Sequence, residues 1–220
     1  MATFKQGIHG KFSGRVGNIV GSSWKGKGVM RIMPASVSNP KTGKQLNQRS
    51  KFGMAVKLVH ANGELVKAGF RPWANGMSAH NAAVSYNLAH AFTGEYPNVS
   101  IDFSRVLISK GDLAPVRNLT AVTTSPDLLT LNWDDNAAQQ NARGTDRLMV
   151  SLYDAESGTA ALYPLAATRA DATAELSTPY GWTGRNVQVL AFFMSEGAVG
   201  GTDSKQLISN SVWGGNLQLD

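Results

Sequence analysis

The sequence predicts an α+β N-terminal domain over residues 1–113, followed by an all-β sandwich domain over residues 114–220. The first observation behind this division is charge. Residues 1–113 contain 15 Lys and Arg against four Asp and Glu, and residues 114–220 contain six against 11, so the net charge of +6 divides into +11 and −5. The second is the glycine and proline within residues 109–115, which are typical of a linker. Such a shift in composition indicates a domain boundary.

The N-terminal half is predicted to begin with strands. In residues 10–33, glycines alternate with β-forming residues, which predicts two or three short strands, with residues 25–28 as a hairpin turn. Asn39-Pro40 then breaks the chain. The alternation of apolar residues within 99–108 predicts one further strand after the helices.

Two helices are predicted between these strands. Thr42 followed by Gln45 is a capping-box pattern, which opens a helix that continues to about His60, where Asn62-Gly63 ends it. A second helix is predicted over residues 78–92. One face of the first helix is expected to carry Leu46, Arg49, Phe52, Val56 and Val59.

The C-terminal half consists of short alternating runs separated by turn residues. Leu129, Leu131 and Trp133, for example, alternate with polar residues, so one face of that strand is apolar. A turn about every 8–12 residues is typical of a sandwich. Seven strands are predicted, at residues 116–124, 129–133, 148–153, 161–167, 172–176, 187–193 and 207–213.

Residues 114–213 resemble a fibronectin type III domain, which is an immunoglobulin-like sandwich. The approach from Pro115, the Leu-Thr-Leu-Asn-Trp run that ends at Trp133, and the Val-Gln-Val-Leu-Ala strand that begins at Val187 match the A, B and F strands of that family. The usual tyrosine of the F strand is absent, with Asn186 or Val187 in its region. The resemblance implies a spacer or binding module without catalysis.

A second resemblance rests on two N-terminal segments. One is the glycine-rich basic stretch Val-Gly-Asn-Ile-Val-Gly-Ser-Ser-Trp-Lys-Gly from Val16, and the other runs from Asn39-Pro-Lys-Thr through Gln45 and Arg49 to Phe52. They resemble a large family of uncharacterised proteins from Bacteroidota and their phages, and the second segment resembles one that recurs in phage-encoded proteins of structural gene neighbourhoods. The resemblance covers residues 8–60 and implies a virion or mobile-element origin, with no catalytic residues to transfer.

Composition and motifs argue against several functional classes. Without cysteine there is no disulfide framework, thiol nucleophile or thiolate metal site. The four histidines fit no zinc spacing, and the sequence contains no Gly-x-Ser-x-Gly elbow and no phosphate-binding loop motif. We therefore expect a protein that is not an enzyme and that needs no metal and no cofactor.

The sequence also bears on location. No apolar run approaches the ~18 residues of a membrane span, and the N-terminus lacks the apolar stretch of a secretory signal. We expect a protein without a signal peptide and without a membrane partner, made in the bacterial cytoplasm, with incorporation into a virion as its destination.

Two sets of residues are the candidate interaction sites. One set is basic and aromatic, and a charged surface of this kind suits either phosphates or an acidic protein. The other is an aromatic loop between two predicted strands, of a kind that can bind sugar or protein. The first set is Arg15, Trp24, Lys25, Lys27, Arg31, Lys44, Arg49 and Lys51, and the second is Tyr180 and Trp182.

The leading hypothesis is a non-enzymatic structural or assembly protein, a phage or prophage virion component that contacts other protein subunits or copies of itself. The first alternative is a nucleic-acid-binding protein that uses the basic N-terminal face. The second is a glycan-binding or cell-surface-binding module that uses the sandwich loops. The opposite charges of the two halves favour contacts between copies or with other proteins.

Overall fold

The structure is a computed structural model of the chain, and it describes residues 3–4, 10–24, 26–125, 127–139, 141–196 and 206–219. The chain forms two compact units, Met1–Thr42 and Gly43–Asp220. The boundary that the sequence predicts at residue 113 lies inside the second unit. The α+β segment is therefore divided, with its strands in one unit and its helices in the other.

The first unit contains an antiparallel sheet in which the strands lie in chain order. Its strands are β1 (Thr3–Phe4), β2 (Phe12–Val16), β3 (Ile19–Trp24) and β4 (Lys27–Ile32). The strands predicted within residues 10–33 are thus confirmed as β2, β3 and β4. The hairpin turn between β3 and β4 is tighter than predicted, because Trp24 already pairs with Lys27 and Lys27–Ile32 is strand.

The second unit begins with helices α1 (Gly43–Ala61), α2 (Gly63–Gly69) and α3 (Ala79–His90). The two predicted helices are confirmed as α1 and α3, and the Ser78 hydroxyl caps α3 by accepting a 3.1 Å hydrogen bond from the Asn81 amide. Helix α2 was not predicted. Asn62 turns the chain between α1 and α2, with its side-chain amide donating to the Leu58 carbonyl at 2.9 Å.

The buried face of α1 differs from the prediction. Ala55, Leu58 and Val59 are fully buried, whereas Phe52 is half exposed and Arg49 is exposed. The prediction for Phe52 and Arg49 was wrong because the buried stripe lies in the last two turns of α1 and continues into Asn62. A stripe spaced by three and four residues marks the helix face that packs on the protein core.

The strand predicted over residues 99–108 is also wrong for most of its length. The chain forms the two-residue strands β5 (Phe92–Thr93) and β6 (Ser100–Ile101), followed by a 3-10 turn at Phe103–Arg105. The Asp102 carboxylate starts this turn by accepting hydrogen bonds from the Ser104 amide at 3.2 Å and the Ser104 hydroxyl at 2.6 Å. A side-chain cap of this kind competes with strand pairing.

Two antiparallel sheets follow along the chain. The last strand begins at Val212 rather than at residue 207, because residues 208 and 209 form only isolated bridges. The strands are β7 (Thr120–Ser125), β8 (Leu128–Asn132), β9 (Arg147–Asp154), β10 (Thr159–Thr168), β11 (Thr173–Ser177), β12 (Asn186–Met194) and β13 (Val212–Gln218). One sheet has the order β11-β8-β7 and the other has the order β10-β9-β12-β13.

The four-stranded sheet is buried on both faces. On its inner face, apolar residues of β9 and β12, such as Leu152, share a core with Leu131 and its neighbours on β8. On its outer face, Met149, Tyr153 and Phe192 share a second core with the helices. This outer core explains why the helical segment belongs to the second unit. The described fold is mixed α and β, with antiparallel sheets predominating.

Candidate functional site

The register of the first-unit sheet places apolar side chains together on one face. Val16 pairs with Ile19, Ile19 pairs with Ile32, and Gly21 pairs with Met30. Residues that pair directly across strands have their side chains on the same side of the sheet, and so do residues two apart along a strand. We call this side the apolar face, after its exposed apolar side chains Val16, Ile19, Met30 and Ile32. The Phe12 ring lies over Gly21 on the same side, which also carries Ser23, and the side chain of Lys11 lies over Gly28.

The opposite side of the same sheet is basic. Arg15 pairs with Val20, Val20 pairs with Arg31, and Trp24 pairs with Lys27, so these side chains project from the other surface. Four of the predicted interaction residues therefore lie on one face, as the sequence hypothesis requires. We call this side the basic face, and its side chains are Arg15, Val20, Trp24, Lys27, Val29 and Arg31.

The apolar face is open to solvent. The exposed fraction is 45% for Val16, 39% for Ile19, and 71% for both Met30 and Ile32. Among the described residues of the first unit, Gly21 alone is buried. A sheet normally buries its apolar face against another layer, and a contiguous exposed apolar surface marks an interaction site. The apolar face is therefore the strongest candidate site in the described part of the chain.

Gly21 is required for the shape of this sheet. A Cβ atom at Gly21 would lie 2.5 Å from a ring carbon of Phe12 and 2.6 Å from the Phe12 carbonyl oxygen. Only glycine therefore lets the Phe12 ring pack over β3. The turn between β3 and β4 has its own requirement, since Gly26 has a φ of +80°, which side-chain-bearing residues rarely adopt.

The positive charge is concentrated in the first unit. Residues 1–42 contain seven Lys and Arg and no Asp or Glu, whereas residues 43–220 contain fourteen basic and fifteen acidic residues. Two of these cations bind nearby carbonyl groups: Arg15 Nε donates to Gly17 at 2.7 Å, and Lys11 Nζ donates to Gly26. The basic face thus presents cations that no acidic side chain of its own unit neutralises.

The remaining predicted basic residues are not part of this sheet. Lys25 lies outside the described residues. Lys44, Arg49 and Lys51 belong to α1 in the second unit, where Lys51 is half buried and the other two are exposed. The predicted basic set is therefore divided between two units, and only Arg15, Trp24, Lys27 and Arg31 belong to one described surface.

Sequence reasoning missed the apolar face. It selected cations and aromatics, whereas the exposed side chains of β4 alternate between the two faces. Along that strand Lys27, Val29 and Arg31 project to one side, and Met30 and Ile32 project to the other. The alternation was visible in the sequence as a period of two, but only the strand register shows that these residues share a face with Val16.

The aromatic loop divides its two residues between different environments. The Tyr180 side chain is fully exposed, whereas Trp182 is half buried and packs against the inner core. The loop is held by its backbone, since the Gly184 amide donates to the Leu219 carbonyl at 2.7 Å. The guanidinium of Arg185 lies 5.5 Å from the centre of the Trp182 ring. Tyr180 thus lies on a turn that this hydrogen bond and the Arg185–Trp182 contact hold in place.

A buried carboxylate anchors this arrangement. Asp154 forms a 3.0 Å ion pair with Arg185 and accepts hydrogen bonds from Ser157 and from the Glu156 amide. Burial by itself raises the pKa of Asp154, but these hydrogen bonds outweigh burial and hold the pKa below its ordinary value of 3.8. The charged form of Asp154 therefore stabilises the loop.

A second buried ion pair lies inside the second unit. Arg169 is fully buried, with its Nε 3.1 Å from the Asp146 carboxylate and its guanidinium 3.8 Å from the centre of the Phe193 ring. It also donates to the Asn136 side chain and to the Ala114 carbonyl. Burial lowers the pKa of Arg169, and Asp146 opposes that effect. These contacts satisfy the cation internally, which indicates a structural role.

A depression of about 630 Å³ lies on the second unit. Arg71, Trp73, Asp112 and Leu207 line it, and the ammonium of Lys110 lies 3.9 Å from the centre of the Trp73 ring. Its described lining contains one cation, one carboxylate and no nucleophile–base pair.

Two further properties concern the described residues. Within them, no group of three or more His, Asp and Glu side chains is arranged to hold a metal ion. None of the helices in the described ranges combines the length and the apolar character that crossing a bilayer requires.

Comparison with known proteins adds one assignment. None of the curated proteins matches the chain. The model of a family of unknown function, DUF6266, matches residues 11–209. The match begins just before β2 and ends before β13, so it includes three strands of the first sheet, the helices and six of the seven C-terminal strands. The chain belongs to the DUF6266 family.

Proposed function

We propose that the protein is a non-enzymatic assembly protein that self-associates through its N-terminal sheet. The observation that carries this proposal is the exposure of Met30 and Ile32, which lie side by side on the apolar face together with Val16 and Ile19. Aliphatic side chains pack favourably against other apolar surfaces, whereas they provide neither the positive charge nor the hydrogen-bond donors that bind phosphate. A protein partner therefore suits this face better than a nucleic acid does.

The second unit suits a supporting role in such an assembly. Its seven C-terminal strands divide between two antiparallel sheets that share a core, an arrangement that supports an immunoglobulin-like, fibronectin type III-like sandwich. Trp133, directly after β8, packs edge-on against Phe193 with ring centres 6.3 Å apart. In this proposal the sandwich is a rigid spacer, and the helices widen it by covering its outer face.

The biological setting is proposed from the sequence resemblance. A phage or prophage virion is an assembly of repeated protein contacts, and a small self-associating sheet on a rigid spacer is suited to that setting. In this setting the partners of the chain are other copies of itself or neighbouring virion proteins.

Mass photometry and light scattering of the full chain test the self-association. Over a concentration series at moderate salt, we expect the mass to rise from that of the monomer to that of a defined oligomer. A chain that stays strictly monomeric at the highest concentrations would contradict the proposal.

Nucleic-acid binding is the second candidate, and the basic face is the observation that favours it. Arg15, Lys27 and Arg31 lie on the same side of the sheet as Trp24, which is half exposed. Cations that attract phosphates, beside a ring that can stack on a base, form a single-strand-binding surface.

A filter-binding assay with DNA and RNA across a salt series tests this candidate. Binding that falls steeply with salt, and that falls further for Arg31→Ala, would support it. Weak binding that does not depend on salt would reject it.

A further inference from the structure

We propose that the free edge of β4 binds an extended acidic segment of a partner protein, which adds to the first-unit sheet as a further strand. This inference goes beyond the proposed self-association and does not depend on it, because the main chain at the edge of the sheet makes the contact. Two properties define the partner, an extended backbone and carboxylate side chains at alternate positions.

Strand β4 lies at one edge of its sheet. The strand order is β1-β2-β3-β4, so β4 pairs with β3 on one side, and no strand in the described part of the chain pairs with it on the other. All six residues of Lys27–Ile32 are exposed. An edge strand presents a row of unpaired N–H and C=O groups, which is a template for a strand from another chain.

The hydrogen bonds of the β3–β4 hairpin show which main-chain groups of β4 point outward. The Met33 amide, directly after β4, donates to the Asn18 carbonyl, directly before β3, at 2.7 Å, so it points toward β3. In an antiparallel pair, successive residues direct their N–H and C=O groups alternately toward the neighbour and away from it. The residues of β4 whose groups point away from β3 are therefore Gly28, Met30 and Ile32.

A second polypeptide backbone is the ligand that suits these groups. Each of the three outward-pointing residues offers one donor and one acceptor, and along the edge they are spaced two residues apart. An extended backbone has the same spacing and carries both acceptors and donors. Phosphodiester groups carry acceptors only, so a nucleic acid backbone would leave the outward carbonyl groups without a donor.

The charged side chains of β4 select an acidic strand. Lys27 and Arg31 project from the basic face with Val29 between them, and residues 1–42 contain seven Lys and Arg and no Asp or Glu. Opposite charges across two paired strands stabilise the pairing, whereas like charges destabilise it. Carboxylates at alternate positions of the partner are therefore favoured. The β4 strand of a second copy is disfavoured, because it would bring basic side chains against basic side chains.

The other side of the edge determines the residues between these carboxylates. Met30 and Ile32 project to the apolar face, where 71% of each is exposed. Side chains of an added strand alternate between the two faces in the same way, so every second residue of the partner lies beside Met30 or Ile32. Aliphatic residues at these positions remove apolar surface from water. The partner segment thus alternates acidic and aliphatic residues.

Fluorescence anisotropy with labelled peptides and the full chain tests the charge preference. The probe is a peptide of about ten residues, the length of a long strand, in which glutamate and valine alternate. A peptide that alternates lysine and valine has the same β-forming pattern with the opposite charge, and we expect it to bind at least about tenfold more weakly. A peptide with the β4 sequence Lys-Gly-Val-Met-Arg-Ile that binds as tightly as the glutamate peptide would assign the edge to a second copy.

Methylation of the peptide amides tests the main-chain contact without altering the protein. One version of the glutamate–valine peptide has N-methyl groups on the valine amides only, and the other has them on the glutamate amides only. Because only one edge of an added strand faces β4, one version should lose at least about tenfold in affinity and the other less than about threefold. Equal affinities of the two versions would overturn strand addition.

A pair of variants at one position tests the same contact from the protein side. Met30→Pro removes an outward-pointing N–H that pairing with β3 does not use, and Met30→Ala removes only the side chain. We expect Met30→Pro to weaken binding of the glutamate–valine peptide at least about tenfold and Met30→Ala less than about threefold. Equal effects would contradict a main-chain contact, and far-UV circular dichroism checks that both variants remain folded.

The outcomes separate this inference from the proposed function. Binding of the glutamate–valine peptide that is blocked by methylation of one set of amides supports the edge contact. Absence of binding, or binding that prefers the lysine peptide, overturns it. Sedimentation velocity of the chain without peptide reports self-association separately. A monomer that binds the peptide overturns the self-association alone, and an oligomer that does not bind it overturns the edge contact alone.

Discussion

The Ser151 hydroxyl donates a 2.5 Å hydrogen bond to Oδ1 of Asn62, and both residues are fully buried. Ser151 lies on the outer face of β9, and Asn62 lies at the junction between α1 and α2. The Asn62 side chain also donates to the Leu58 carbonyl at 2.9 Å. One buried amide thus connects the helical segment to the four-stranded sheet, across the boundary that the sequence predicts at residue 113.

Removing this hydroxyl should destabilise the second unit. Ser151→Ala leaves Oδ1 of Asn62 buried without its donor, which we expect to lower the free energy of unfolding by about 1–3 kcal/mol. Urea denaturation measures the effect. Ser177→Ala, at an exposed position on β11, is the control and should change the free energy by less than about 0.5 kcal/mol.

The same denaturation experiment tests whether helices and sheets form one cooperative unit. The helical bands of far-UV circular dichroism report mainly on α1 to α3. In a variant in which the other four tryptophans are replaced by Phe, the fluorescence of Trp133 reports on the inner core. Because the helices and the four-stranded sheet share a core, the two transitions should coincide. Two separate midpoints, one for the helices and one for the sandwich, would contradict the shared core.

The buried ion pair between Arg169 and Asp146 predicts that removing one partner costs more stability than removing both. Arg169→Met removes the cation but leaves the Asp146 carboxylate buried, so we expect a loss of about 3–5 kcal/mol in unfolding free energy. Adding Asp146→Asn removes the unpaired charge and keeps an acceptor for the Arg143 amide. The double variant should recover part of the loss, and a double variant that is less stable than Arg169→Met would contradict this explanation.

The lowered pKa of Asp154 predicts a dependence of stability on pH. A carboxylate whose pKa is lower in the folded state than in the unfolded state stabilises the fold above its ordinary pKa of 3.8, and this stabilisation is lost as the pH falls through the folded value. Asp154→Asn should therefore be less stable than wild type at about pH 6, by about 1–2 kcal/mol.

The difference between Asp154→Asn and wild type should narrow as the pH falls below 3.8. Chemical denaturation at a series of pH values measures it. Glu175→Gln, at an exposed position on β11, is the control, with an effect below about 0.5 kcal/mol at each pH. A difference that stays constant with pH would show that the charge of Asp154 has no part in stability.

The two aromatic residues of the 180–182 loop should respond differently to truncation. Trp182 packs on the inner core, so Trp182→Ala should lower the unfolding free energy by about 1.5–3 kcal/mol. Tyr180 is fully exposed, and Tyr180→Ala should change it by less than about 0.5 kcal/mol. Thermal denaturation compares the two, and equal losses would contradict the positions described for these side chains.

Local patterns predicted much of the fold. The capping box at Thr42, the serine before α3 and the alternation around Leu129 each carried enough local information to place an element. The domain boundary depended instead on contacts between residues that are far apart in the sequence. Charge separates residues 1–113 from residues 114–220, yet the outer face of the four-stranded sheet also buries apolar side chains, among them Met149, Tyr153 and Phe192. A strand that is buried on both faces requires a second covering layer, and the helices supply it.

The candidate site was also predicted only in part, because a local sequence pattern does not show which side chains the folded chain leaves exposed. Cations such as Arg15 and Arg31 are conspicuous in the sequence, and the register confirms that they share a face. Met30 and Ile32 were not selected, because an apolar residue in a strand is normally buried. Their exposed fraction of 71% is visible only in the folded chain.

The salt dependence of self-association tests the central claim most directly. Sedimentation equilibrium of the wild-type chain at about 50 mM and about 500 mM NaCl gives the dissociation constant under weak and strong screening. A contact through the apolar face, between chains that each carry +6, should be as tight or tighter at high salt, because salt screens the repulsion between copies. A dissociation constant that rises tenfold or more at high salt would contradict the claim and assign the contact to the basic face.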